Sequence, residues 1–102
     1  MLEKKILQTV IKIEKLHPED DYALYKLWDE LTELLSVSEK ETISFLRNCK
    51  DKNIIETVSS VFEDVAFKLQ SKKYIEFLEY LEKNNPNLKQ RVKAAKDAML
   101  DE

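Results

Sequence analysis

Apolar residues recur three and four apart along almost the whole chain, and the densest run is Ile54 to Leu69. At about 100° per residue, Val61, Ile54, Val65, Val58, Leu69, Phe62, Ile55 and Ala66 share one arc of roughly 140°. Glu56, Ser59, Glu63 and Gln70 fall on the opposite side. So broad an apolar face can touch several neighbours, and the spacing predicts one continuous central helix here. Phe67 is the one large apolar residue off the arc.

Upstream, Leu2, Ile6, Val10 and Ile13, together with Leu7 and Ile11, predict a first helix from Leu2 to Leu16. His17-Pro18 ends it, because the residue before proline is pushed out of the α region. Asp20 or Asp21 caps a second helix to about Leu35, where acids also suit the positive end of the helix dipole. Ser38-Glu39-Lys40-Glu41 has capping-box spacing and opens a short third helix to about Asn48. Asp51 caps the central helix in the same way. Ser71 caps a fifth, Lys72 to Lys83, with Tyr74, Ile75, Phe77, Leu78 and Leu81 on its apolar face.

Asn84-Asn85-Pro86-Asn87 is the clearest break in the chain. Either Asn85, with Pro86 at the first helical position, or Asn87 caps the last helix, which runs on Leu88, Val92, Ala95 and Met99. The expected fold is all-α: a compact bundle of about six short helices on short connections, packed as antiparallel helix pairs. No internal repeat at a fixed period supports a stacked solenoid.

Composition narrows this further. A chain of 102 residues reads as a single helical domain, 1–102, able to bury roughly 60–65% of its unfolded surface. Glycine is absent, which disfavours hairpin turns and glycine-rich phosphate loops. Cys49 is alone, so no intramolecular disulfide can form and a reducing compartment is expected. No apolar run reaches the roughly 18 residues of a membrane span. Glu14 and Lys15 interrupt the first apolar run, so no signal peptide is expected and the location is expected to be cytoplasmic.

Catalytic chemistry finds few candidates. His17 is the single histidine and Cys49 the single thiol, too few for a zinc site or for the paired Glu-x-x-His motifs of a di-iron bundle. No metal or cofactor is expected. His17 is expected at a surface helix end and Cys49 in a buried or half-buried place. Glu63-Asp64 and Asp20-Asp21 are adjacent carboxylates, but acid–base work needs burial and divergent pKa values. With 20 acids in the chain, solvated charge is the simpler expectation, and the residue set points away from an enzyme.

Charge is more informative than chemistry. The net value of −3 hides a segment from Glu19 to Glu41 with eight acids against Lys26 and Lys40, a balance of −6. On the second helix, Leu34, Leu27, Leu31, Leu24, Leu35 and Trp28 form the apolar arc. The neighbouring sector holds Tyr22, Tyr25, Asp29 and Glu33. Aromatic anchors with acids between them suit a protein interface that meets a basic partner. The plainer alternative places both tyrosines over neighbouring helices with their hydroxyls in water and leaves the acids as a solvated face. On the last helix Lys89, Lys93 and Lys96 form a basic stripe, but it lacks the polar residues that accompany base reading. A solvated face suited to the helix C-terminal half is expected there, with no nucleic-acid partner.

The segment from Val58-Ser-Ser-Val-Phe-Glu-Asp-Val-Ala-Phe-Lys-Leu-Gln-Ser71 through Tyr74-Ile-Glu-Phe-Leu-Glu-Tyr-Leu-Glu-Lys83 to Asn85-Pro86 resembles the C-terminal half of small helical proteins of bacterial toxin loci. These are the immunity proteins of polymorphic or contact-dependent growth-inhibition systems. The resemblance covers about the last half of the chain and implies binding to a cognate toxin C-terminal domain, often a nuclease, with its active site or substrate surface blocked. It carries over no residue set. Partner contacts are expected, from helix geometry alone, at Tyr22, Tyr25, Asp29 and Glu33, with Trp28 at the rim. The alternatives are a helical adaptor with a non-toxin partner and a small nucleic-acid-binding regulator using Lys89, Lys93 and Lys96.

Overall fold

Four of the helices begin where a short polar side chain takes up a free backbone N–H group. Asp20 accepts from the Ala23 amide, Ser38 from Glu41, Asp51 from Asn53 and Ser71 from Tyr74, at 2.9–3.2 Å. Each bond satisfies a donor that the helix itself leaves free. The computed structural model of the chain describes residues 2–17 and 19–100. Within them run α1 (Leu2–Glu14), α2 (Asp21–Leu35), α3 (Glu39–Asn48), α4 (Lys52–Ser59), α5 (Phe62–Leu69), α6 (Lys72–Asn84), a 3-10 turn at Pro86–Leu88, and α7 (Lys89–Asp97). The chain is all-α.

The expected central helix is two helices. Ser60 and Val61 donate their amides three residues back, to Thr57 and Val58, instead of four. Val61 leaves the helical region at φ −113°. The Ser59 hydroxyl donates to the Glu56 carbonyl, offering the backbone a competing local partner. Thr57, Val58 and Val61 are β-branched and resist the helix at χ1. The break also corrects Ser59, which is buried rather than on a polar side. All eight residues of the apolar arc remain buried or packed against the core. The two halves face different neighbours: α4 lies on α1, while α5 packs on α7 and α2.

Other boundaries shift by less. α1 ends at Glu14 rather than Leu16, where the Leu16 amide tightens onto the Ile13 carbonyl; Pro18 lies outside the described residues. His17 is exposed, and its Nδ1 accepts the Glu19 amide at 3.2 Å. Pro86 opens the 3-10 turn, and the buried Asn85 side chain donates back to the Leu81 carbonyl instead of capping forward. No described helix is long and apolar enough to cross a membrane.

The short α1–α2 link and the close packing of the two helices make an αα-hairpin. The most extensive pairing, α5 with α7, joins helices that are not consecutive. Ile6, Leu31, Leu35, Val58, Phe62, Val65, Tyr74 and Leu78 fill the core between these layers. Gln70 closes α5 with φ 48° and ψ 44°, the left-handed form that glycine usually takes. Its side-chain amide donates to the Phe67 and Ala98 carbonyls at 2.8 and 3.3 Å and accepts the Leu100 amide at 2.8 Å. One side chain thus ties the end of α5 to the end of α7. Arg47 on α3 lies over the Phe77 ring of α6 at 5.6 Å.

Candidate partner-binding face

Position on α2 decides what each proposed contact residue can do. Leu31 and Leu35 are fully buried, so the sector about 90° or more away from them around the helix must face outward. Tyr22 is 81% exposed and Tyr25 60% exposed; neither is covered by a neighbouring helix. Asp29 and Glu33 continue the same outward sector and are exposed. Trp28 is half-buried against the core, with its ring 5.6 Å from that of Tyr25 and tilted by 60°. Its other side lines a separate cleft of about 420 Å³ between Ile13, Leu24, Glu56 and Arg91. Trp28 therefore sits at the boundary between two surfaces.

The helix beside α2 adds residues that α2 periodicity alone does not reveal. Because α5 packs against α2, Asp64, Phe67 and Lys68 come alongside Asp29, Thr32 and Glu33, and these six residues line a hollow of about 430 Å³. Phe67 is 57% exposed at its edge. The off-arc position of Phe67 is the sequence signal for it; its nearness to Asp29 has no signal, since it depends on the tertiary pairing. Thr32 is 4% exposed, and its hydroxyl has no hydrogen-bond partner in the protein.

Electrostatically the hollow is acidic. Lys68 donates to and pairs with the Glu33 carboxylate across the α2–α5 seam. That bond holds the lysine above its ordinary pKa, with added pull from the Asp29 and Asp64 charges. Three carboxylates thus surround one ammonium, leaving an excess of negative charge. Among the described residues no group of three or more His, Cys, Asp or Glu side chains is arranged to hold a metal ion.

Elsewhere the candidates remain separate. Cys49 is half-buried, its Sγ 3.6 Å from the Asp51 carbonyl, and burial pushes the thiol pKa up. This is the opposite of an activated thiolate. Asp20, Asp21, Glu63 and Asp64 are exposed. Lys89, Lys93 and Lys96 are exposed on α7, but Lys96 is paired with Glu79 at 2.9 Å, which neutralises one end of the basic stripe. Tyr80 is exposed on α6 with its ring 5.8 Å from that of Phe77. No family model, curated protein or solved structure matches this chain.

Proposed function

We propose that this chain is a cytoplasmic immunity protein without enzymatic activity of its own. It binds a cognate toxin domain one-to-one and blocks that domain's active site or substrate surface. The observation that supports this reading is the continuous exposed face of Tyr22, Tyr25, Asp29 and Glu33 on α2, extended by Asp64 and Phe67 on α5. Rigid aromatic rings bury much area at low rotamer cost and slow release. Clustered carboxylates steer a basic partner and raise its encounter rate. A nuclease-type toxin presents the complementary basic surface to its nucleic-acid substrate, and an acidic protein face competes for it.

The test is capture of the tagged chain from cells carrying its neighbouring genes, followed by co-expression with whatever is recovered. Recovery of a basic toxin fragment whose growth arrest is lifted by this chain supports the proposal. Recovery of a housekeeping protein or of nucleic acid, with no toxic fragment, overturns it.

A further inference from the structure

We infer that the outer face of the α1–α2 hairpin is a self-docking surface, met by a second copy of this chain across a two-fold axis parallel to the helices. The inference goes beyond the immunity reading and does not need it. The two helices carry opposite charge on that face. With Ile6 and Val10 buried, the side of α1 turned away from the core holds Lys4, Lys5 and Lys12, all exposed. On α2 the outer side holds Asp29, Glu30 and Glu33, also exposed. Between the helices runs a hollow of about 430 Å³, with Lys5 and Lys12 on one wall, Glu30 and Glu33 on the other, and Leu34 and Val37 as its apolar floor. Val37 is 72% exposed. Lys26, the one base of α2, lies outside the hollow. Among the described residues Lys5, Lys12 and Glu30 make no ion pair, and Glu33 pairs with Lys68 of α5. The two walls therefore do not neutralise one another across the hollow, and each offers its charge outward.

A basic ridge beside an acidic one is complementary to itself in one orientation. Rotation about an axis along the hollow lays α1 of each copy over α2 of the other. An axis across the hollow would set lysine on lysine and acid on acid. Lys12 and Glu30 both lie toward the connected end of the hairpin, so the favoured rotation brings Lys12 of each copy over Glu30 of the other. At the open end it lays the aliphatic stem of Lys5 over the exposed Val37. The product is four helices with antiparallel neighbours, a stable way to cover a hairpin face. Helices about 20 Å long, side by side at about 10 Å, offer a footprint of about 400 Å². That size belongs to small, transient interfaces, so the dimer forms at high protein concentration and exchanges with monomer.

Sedimentation equilibrium of the full chain from about 10 µM to about 1 mM covers that regime. A monomer–dimer equilibrium at low salt is expected, weakened about tenfold or more in about 1 M salt, where the Debye length falls to about 3 Å. An exposed ion pair is worth about twofold, and symmetry counts each pair twice. Lys5→Glu with Lys12→Glu should therefore weaken the dimer about tenfold or more. Lys89→Glu with Lys93→Glu on α7 makes the same change in net charge and should weaken it by no more than about twofold. Glu30→Lys alone should also weaken self-association. Mixing that variant with the Lys5→Glu, Lys12→Glu chain should restore a dimer of one copy each, because each then meets a face of opposite charge. Asp29 and Glu33 stay intact in every variant, so loss of the dimer and loss of toxin binding are separate results. On dilution, the NMR signals of the Gln8, Lys12, Glu30 and Val37 amides should shift together. A chain that stays monomeric throughout, equal weakening by the α7 variant, or no dimer in the mixed sample of two helical variants each overturns the inference.

Discussion

Tyr74 gives the sharpest prediction about what holds the fold together. Its side chain is fully buried on α6, edge-on to Phe62 with ring centroids 6.4 Å apart, and its hydroxyl has no partner. A buried hydroxyl without a hydrogen bond costs about 1–3 kcal/mol on the scale set by protein mutants. Tyr74→Phe keeps the ring and removes the cost. Losing one oxygen leaves a small void that takes back about 0.5 kcal/mol, because its lining loses packing contacts. The net gain is therefore about 0.5–2.5 kcal/mol, a rise of roughly 2–12 °C in Tm for a domain of this size.

Burial also pushes the Tyr74 pKa above its ordinary value. The folded value exceeds the unfolded one, so the stability from the neutral phenol is intact below about pH 10 and lost as pH rises beyond it. The advantage of Tyr74→Phe should then widen by up to about 1.4 kcal/mol per pH unit above pH 10. Urea titrations at pH 7 and pH 10.5, followed by far-UV circular dichroism and by Trp28 fluorescence, measure both effects. A Phe variant less stable than the parent at pH 7, with an unchanged alkaline slope, would refute the reasoning, because the hydroxyl would then have a hydrogen bond in solution.

Four further outcomes follow from particular side chains. The Thr42 hydroxyl donates to the Leu35 carbonyl at 2.6 Å in a fully buried setting, so Thr42→Val should cost about 1–3 kcal/mol in urea unfolding. Thr32→Val, which removes a buried hydroxyl that has no partner, should instead stabilise the fold by about 1–3 kcal/mol, by the reasoning given for Tyr74→Phe. Gln70→Gly relieves the left-handed backbone while Gln70→Ala keeps it; both lose the clamp on Ala98 and Leu100. The glycine variant should therefore be more stable by about 1 kcal/mol, and hydrogen exchange at the Leu100 amide should accelerate in both. Asp29→Lys with Glu33→Lys should slow association with a captured basic toxin fragment about tenfold or more at low salt and flatten its salt dependence, read by stopped flow.

The helix caps and most of the core were legible because both depend on residues close in sequence. Asp20, Ser38, Asp51 and Ser71 act on amides two or three positions away, and the apolar arcs repeat every few residues. The split at Ser60 was not, because a wheel drawn at constant pitch carries its phase through a turn that resets it. A Ser-Ser pair flanked by β-branched residues was the available hint. Thr32 and Phe67 show the other limit. Thr32 is buried where α2 packs on α5, and Phe67 comes near Asp29 through the same pairing. Neither fact exists within one helix.

The most direct test of the proposed role is growth of cells expressing the captured toxin fragment alone, with this chain, or with its Asp29→Lys, Glu33→Lys variant. Full rescue by the parent and little by a variant that remains helical is the predicted result. Equal rescue by both would place the neutralising surface elsewhere on the molecule, and rescue by neither would remove the immunity function.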